Sequence, residues 1–141
     1  MAKYNKEYYE PLEQMMAVRH QYMSKILRDH TNQDIYNFFQ NKQVLDLGCG
    51  TGEFLNNYFE MGAQCTGIDI EKNFKLKNKK NFNLYNLDEN TFLKNCKKKF
   101  DIIFLFEFLE HLEEGDKHKL FESLIKILNK NALIFVSTLN K

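Results

Sequence analysis

The sequence predicts an α/β fold with a doubly wound, mostly parallel β-sheet. Strand-like apolar runs alternate with helix-like segments from residue 43 onward, as they do in consecutive βαβ units. A glycine-rich turn, "GCGTG" (48–52), joins the first of these strands to the next helix. The run "FDIIFLF" (100–106) is apolar without alternation, which is typical of a strand buried on both faces.

Each element follows from its local pattern of apolar residues and breakers. Helices show apolar residues at intervals of three and four, and strands are short apolar runs bounded by polar or glycine positions. Asp116 is the predicted N-cap of the last helix. In chain order we expect helices at about 8–29 and 33–39, a strand at 43–48, a helix at 52–62, strands at 64–69, 81–86 and 100–106, a helix at 116–130 and a strand at 131–138.

Composition narrows the class of protein. The 141 residues suffice for one core, and a net charge of +1 gives no general attraction to nucleic acid. The three cysteines form no CxxC pair, and neither a signal peptide nor a membrane span is visible, so we expect a cytoplasmic protein. Two lysine-rich stretches (75–80 and 94–100) are interpreted as solvated surface, with contact to an anionic membrane or nucleic acid as the alternative.

The stretch "VLDLGCGTGEF" (44–54) is the most informative. A strand leads into a Gly-x-Gly-x-Gly turn that opens a helix, and the free N–H groups of a helix N-terminus favour an anionic group. The next strand ends in Asp69, about 20 residues after the first glycine, where an acid can accept hydrogen bonds from ribose hydroxyls. A nucleoside site is therefore predicted; the alternative is a tight turn that binds no cofactor.

This stretch resembles motif I of the class I S-adenosylmethionine (SAM) methyltransferases, which have a Rossmann-like fold. The resemblance implies that SAM is the cofactor and S-adenosylhomocysteine the product. It implies that Asp46 and the loop from Gly48 to Gly52 surround the methionine end, and that Asp69 holds the ribose. The cofactor-binding residues expected from it are Arg19, Asp46, Gly48, Cys49, Gly50, Gly52, Asp69, Ile70, Asp88 and Phe106.

Three further segments resemble one subfamily, the ubiquinone-biosynthesis O-methyltransferases. They are "PLEQMMAVR" (11–19), "FEFLEHL" (106–112) and "STLNK" (137–141). The match implies that Arg19 reaches the SAM carboxylate and that Phe106 lines the SAM pocket. It also implies methyl transfer to a phenolic or catechol hydroxyl of a quinone precursor, with a small aromatic substrate and a location in the cytoplasm or at the inner membrane.

Glu107, Glu110 and His111 stand at positions i, i+3 and i+4, which share one face of a helical turn. Two carboxylates and an imidazole suit a divalent cation, Mg²⁺ first, which would lower the pKa of a bound phenol. Glu107 and His111 are thus the predicted catalytic residues and all three are predicted metal ligands. The alternatives are an ordinary charged helix start, or His111 as a general base.

Two departures from the family leave alternatives open. Class I methyltransferases usually have seven strands, whereas this sequence contains five, so we expect a fragment, a degraded gene product, or a half-domain completed by a partner or a second copy. Residues 71–80 lack a helical stripe, which places one wall of the adenine pocket in question. Residues 1–42 are interpreted as a helical segment over the cofactor site, and 43–141 as the SAM-binding core. Competing functions are an RNA 3′-terminal 2′-O-methyltransferase and a non-catalytic SAM-binding fragment.

Overall fold

The structure, a computed structural model, describes residues 6–138, with side chains from residue 16 onward. The chain divides into two compact units, one ending at Gln40 and the other beginning at Asn41. No helix among the described residues is long and apolar enough to cross a membrane.

The first unit consists of two helices, α1 (Lys6–Thr31) and α2 (Ile35–Phe39). Asp34 caps α2, since its carboxylate accepts a hydrogen bond of 2.9 Å from the Asn37 N–H. The two helices contact each other. Both helices were predicted, and the structure confirms them with small shifts at their ends.

The second unit is built on a five-stranded sheet with the order β3-β2-β1-β4-β5, and all its strands are parallel. The strands are β1 (Gln43–Leu47), β2 (Gln64–Asp69), β3 (Phe82–Asn86), β4 (Phe100–Phe106) and β5 (Leu128–Ser137). Residues Ile102 to Leu105 are completely buried, because β4 is covered on both faces. The predicted doubly wound parallel sheet is therefore confirmed.

Helices cover both faces of this sheet: α3 (Glu53–Glu60), α4 (Glu89–Asn95) and α5 (Glu114–Ile125). Phe54 and Tyr58 of α3 pack against Phe104 of β4, with ring centroids 5.8 and 5.0 Å apart. On the opposite face, Leu120 and Leu124 of α5 join the apolar core of β1, β2 and β4. Burial of these apolar side chains is the main force that holds the layers together.

Three predictions about these elements were wrong. The helix α4 was not predicted; its apolar residues, Phe92 and Leu93, are only partly buried. The N-cap of α5 is Glu113 rather than Asp116. The helix α5 was also expected to continue to residue 130, but it ends at Ile125. It ends there because the Ile127 carbonyl accepts a 2.7 Å hydrogen bond from Phe100 N–H of the sheet.

Candidate active site

The polar residues singled out in the sequence meet at the carboxyl edge of the parallel sheet. The strands β1, β2, β4 and β5 all point toward this edge, so the loops that follow them are neighbours. From β1 the chain runs outward to β2 and β3, and it then returns to β4 on the other side of β1. This change of direction between β1 and β4 is where doubly wound sheets bind their ligands.

The loop from Gly48 to Gly52, called the glycine loop below, is a tight turn held by backbone hydrogen bonds. The N–H groups of Gly48 and Cys49 both donate to the Ile68 carbonyl of β2 at 2.9 Å, and Gly52 N–H donates to Cys49 at 3.1 Å. Gly48, Gly50 and Gly52 have φ values of 78°, 58° and 86°, which residues with a Cβ rarely adopt. The three glycines are therefore required by the backbone conformation of the turn.

Gly50 is open on its outer side. A Cβ built at this position would meet nothing within 4 Å, so a ligand can approach the backbone closely. Its N–H donates a 2.8 Å hydrogen bond to Oδ2 of Asp69, while Glu71 N–H donates a 2.8 Å bond to Oδ1. Each carboxylate oxygen has a further lone pair, so Asp69 can still accept from ribose hydroxyls. The open glycine and the adjacent acid fit an adenosyl group.

Asp46 precedes this loop at the end of β1, and Cys49 lies within the loop. Asp46 is 4% exposed, and it stands in register between Gly67 of β2 and Phe104 of β4. Burial raises the pKa of the Cys49 thiol, and the charges of Asp46 and Asp69 add to this effect. Burial likewise raises the pKa of Cys65 to about 12. Both thiols are protonated at neutral pH, so neither serves as a nucleophile.

Aromatic rings lie on the β4 side of the glycine loop. Phe106 stacks on Phe104 with centroids 5.0 Å apart and meets Phe54 edge-on at 5.4 Å. Phe108 lies against Gly48, where a Cβ would approach its ring to 3.1 Å. The segment that follows β4 is thus in direct contact with the glycine loop.

Glu107 ends β4 in an unusual conformation. Its φ is 52°, in the left-handed region. Ser137, at the end of β5, contacts it twice: the Ser137 carbonyl accepts from Glu107 N–H at 2.9 Å, and the Ser137 hydroxyl donates to Glu107 Oε1 at 2.8 Å. The direction of the Glu107 carboxylate is therefore set by the neighbouring strand.

The prediction that Glu107, Glu110 and His111 share one helical face is wrong. Glu107 lies outside any helix, and only Leu109–His111 form a single 3₁₀ turn. Within residues 6–138 no group of three His, Cys, Asp or Glu side chains is arranged to hold a metal ion. The three side chains therefore do not form the predicted three-ligand site for the cation as they stand.

Three further residues were predicted to bind the cofactor: Asp88, Ile70 and Arg19. Asp88 caps α4, where its carboxylate accepts hydrogen bonds from the backbone N–H and the hydroxyl of Thr91 at 2.8 and 2.7 Å. Ile70 is 69% exposed at the end of β2. Arg19 lies half-buried in α1, within the first unit. Of the C-terminal motif, residues 139–141 lie outside the described residues, and so does the side chain of Pro11.

Sequence reasoning assigned no role to Ser137, Phe108 or Leu84, each of which shapes the site. Ser137 stood within a quoted motif, and its position after a buried strand was a usable signal. Phe108 and Leu84 carried no local signal, because their importance comes from the glycines they contact across the fold.

Known proteins are similar to this chain in sequence and in fold. A family model described as a methyltransferase domain matches residues 18–141. The ubiquinone biosynthesis O-methyltransferase of Pelagibacter ubique is 31% identical over 140 residues, covering 94% of this chain and 57% of that protein. The enzyme of the same name from Colwellia psychrerythraea is 30% identical over 141 residues, covering 94% and 56%. The chain thus spans little more than half the length of these curated relatives.

Solved structures agree with the fold. The plantazolicin methyltransferase BpumL in complex with SAH matches with a TM-score of 0.66 at 22% identity, covering 89% of this chain and 48% of that one. Magnesium protoporphyrin IX methyltransferase from Synechocystis, with bound SAM, matches at 0.53 and 19% identity, covering 64% and 47%. The fold is the Rossmann-like fold of class I methyltransferases. The chain belongs to the methyltransferase domain family.

Proposed function

We propose that this chain binds S-adenosylmethionine and forms the catalytic core of an O-methyltransferase that acts on a phenolic hydroxyl of a quinone precursor. The observation that carries the proposal is the pairing of an open Gly50 with Asp69, whose carboxylate lies 2.8 Å from the Gly50 nitrogen. The names of the curated relatives support the aromatic acceptor.

The donor would lie across the carboxyl edge between β1 and β2. Asp69 would accept hydrogen bonds from the ribose hydroxyls, and Gly50 would let the donor approach without a side chain in its way. The exposed side chain of Ile70 would cover one face of the adenine, with Phe106 on the β4 side. Asp46 is proposed to face the ammonium group of the donor, whereas the role of Arg19 stays a prediction from the sequence.

S-adenosylmethionine supplies an electrophilic methyl group on a sulfonium sulfur. The acceptor oxygen forms the new C–O bond as the S–C bond breaks, and the electron pair of that bond stays on sulfur. The hydroxyl proton passes to a base on this chain, for which Glu107 and the exposed His111 are the candidates. The further contribution of the protein is to hold the donor and acceptor in line.

No step of this mechanism is assigned to a metal ion, since no group of three His, Cys, Asp or Glu side chains within residues 6–138 is arranged to hold one. An RNA acceptor is disfavoured by the same relatives, which are named for ubiquinone biosynthesis. A homodimer, or a partner along the sheet edge, stays a prediction from the sequence.

Calorimetric titration with S-adenosylmethionine tests the proposal through Gly50→Ala. The added methyl group meets no protein atom, but it occupies the space proposed for the donor and strains a positive φ. We expect the dissociation constant to rise at least tenfold, which corresponds to about 1.4 kcal/mol. The wild-type chain should bind the donor with measurable heat.

Gly115→Ala is the matched control. It makes the same chemical change in α5, where a Cβ also meets nothing and φ is not positive, so donor affinity should not change. Helix propensity should stabilise this variant by up to about 1 kcal/mol. No binding by the wild type, or equal binding by Gly50→Ala, would contradict the proposed function.

A further inference from the structure

The segment that connects β2 to β3, residues 70–81, is hydrogen-bonded to the glycine loop. Residues 71–81 contain no helix, as the sequence predicted. Lys75 N–H donates a 3.0 Å hydrogen bond to the Thr51 carbonyl inside the loop. The Lys75 ammonium also lies 3.7 Å from the Glu53 carboxylate, in the first turn of α3. The connection therefore holds the loop directly from outside the sheet.

Asn78 attaches the same connection to β3. Its Oδ1 accepts a 2.8 Å hydrogen bond from Leu84 N–H, and its Nδ2 donates a 3.3 Å bond to the Leu84 carbonyl. β3 is an edge strand, and such strands leave backbone groups without a strand partner on their outer side. The Asn78 amide thus replaces a neighbouring strand at Leu84.

Leu84 in turn fills the space beneath two glycines. Its Cδ1 lies 2.7 Å from where a Cβ of Gly52 would stand, and its Cδ2 lies 2.8 Å from that position at Gly67. Leu84 is 5% exposed, so its side chain is enclosed by the packed interior. A displacement of the Leu84 backbone would therefore move the side chain that packs against Gly52, the N-cap of α3.

We infer that Asn78 is a positioning residue for the donor site: it fixes Leu84, and Leu84 fixes the Gly52 end of the glycine loop. This inference rests on the proposed donor binding and goes beyond it, because Asn78 lies outside the glycine motif and the ribose acid. The connection takes the place of a helix in supporting the loop. Its effect on the donor passes through packing rather than through contact with the donor.

The test is Asn78→Ala, measured by donor affinity and by local hydrogen exchange. Loss of both bonds frees the edge of β3, so Leu84 and Gly52 gain mobility. We expect the dissociation constant for S-adenosylmethionine to rise at least fivefold. We also expect faster exchange of the amides at 48–54, above all that of Gly52, whose N–H bonds to Cys49 within the turn.

Asn95→Ala is the matched control. The Asn95 amide donates a 2.9 Å bond to the Thr91 carbonyl on the exposed side of α4. This variant loses a similar bond, yet donor affinity and exchange at 48–54 should stay at wild-type values. A second variant, Leu84→Ala, should weaken donor binding as Asn78→Ala does, because it removes the side chain beneath Gly52.

The outcomes separate the inference from the function on which it rests. If the wild type binds the donor and Asn78→Ala binds it equally well, with unchanged exchange at 48–54, the inference is wrong and the proposed function stands. If the wild type fails to bind, the proposed function fails, while exchange at 48–54 still reports whether Asn78 supports the loop. Equal losses in Asn78→Ala and Asn95→Ala would mean general destabilisation and would contradict the inference.

Discussion

The left-handed backbone of Glu107 decides where its carboxylate points. A residue with a Cβ at φ 52° carries strain of about 1–3 kcal/mol, which the surrounding structure must offset. Here two hydrogen bonds with Ser137 offset it: the Glu107 N–H donates to the Ser137 carbonyl, and the Ser137 hydroxyl donates to the Glu107 carboxylate. Such strain at the carboxyl edge of a sheet, beside the glycine loop, is consistent with a functional role for Glu107.

The same geometry yields a prediction about metal binding. Because Glu107 Oε1 already accepts from Ser137 and no group of three His, Cys, Asp or Glu side chains within residues 6–138 is arranged to hold a metal ion, we expect the chain to bind Mg²⁺ no more tightly than about 1 mM, or about 4 kcal/mol. Calorimetric titration with MgCl₂ measures this. A dissociation constant below about 0.1 mM would support the metal prediction if Glu107→Gln abolishes the binding. The conservative control, Glu122→Gln, should then leave the binding unchanged.

Sequence patterns identified those site residues whose conformation or position depends on their neighbours in the chain. The turn glycines follow from their spacing, and Asp69 follows from its place at a strand end. The conformation of Glu107 could not be predicted, since it depends on Ser137, 30 positions away. Helical spacing was assumed for Glu107, Glu110 and His111, and that assumption failed for the same reason.

Among the elements, α4 depends on its N-cap. Hydrogen bonds from Thr91, first from its backbone N–H and then from its hydroxyl, hold the pKa of Asp88 below its ordinary value of 3.8. A lowered carboxyl pKa means that the charged form stabilises the folded helix. This contribution is complete above pH 3.8, and it is lost as the pH falls through the lower, folded-state pKa.

We therefore expect the Thr91 amide resonance to titrate with a midpoint below pH 3.8 and amide exchange in α4 to increase through the same range. NMR titration of the amide measures both. Asp88→Asn is the control: asparagine also caps helices but does not titrate, so the transition at Thr91 should disappear while α4 persists. A midpoint above 3.8 would show that the cap does not stabilise the charged form.

Strands were easier to predict than helices in this chain. The buried parallel strands appear in the sequence as short apolar runs, and all five were found. The boundary between α5 and β5 was misplaced, because Leu124, Ile127 and Leu128 fit a helical stripe and a strand equally well. Long-range pairing with β4 decides between them, through the hydrogen bond from Phe100 N–H to the Ile127 carbonyl and the pairing of Phe100 with Leu128.

The two edges of the sheet unit differ in most of their charged residues, although Lys75 lies beside Glu53 at the carboxyl edge and Asp101 lies near the start of β4. The carboxyl edge holds Asp69, Glu107 and Glu110. The amino edge, where strands begin, holds exposed lysines directly before three strands: Lys79, Lys80, Lys97, Lys98, Lys99 and Lys126. Lysines act as separate point charges and suit a diffuse anionic surface better than paired phosphate contacts. This basic edge would be the surface for a peripheral membrane contact, which the sequence offered as the alternative to a solvated surface.

Vesicle sedimentation at low salt tests this contact. Each lysine near an anionic bilayer contributes about 1 kcal/mol, so Lys98→Glu with Lys99→Glu should weaken binding to phosphatidylglycerol vesicles at least tenfold. The control, Lys117→Glu with Lys119→Glu, makes the same charge change in α5 and should bind like the wild type. Equal binding to neutral phosphatidylcholine vesicles, or equal losses in both variants, would contradict the proposal.

The two glycines above Leu84 have a consequence for how this sequence can vary. One leucine side chain occupies the volume that β-carbons at 52 and 67 would need, so these three positions share a single fixed space. The Cys49 side chain also crowds position 67, with its Sγ 2.8 Å from where a Cβ would stand, so a larger residue at 67 needs smaller residues at both 49 and 84. Position 52 additionally requires glycine because its φ is 86°. Substitutions at 67 that this family accepts should therefore be accompanied by smaller residues at 49 and 84.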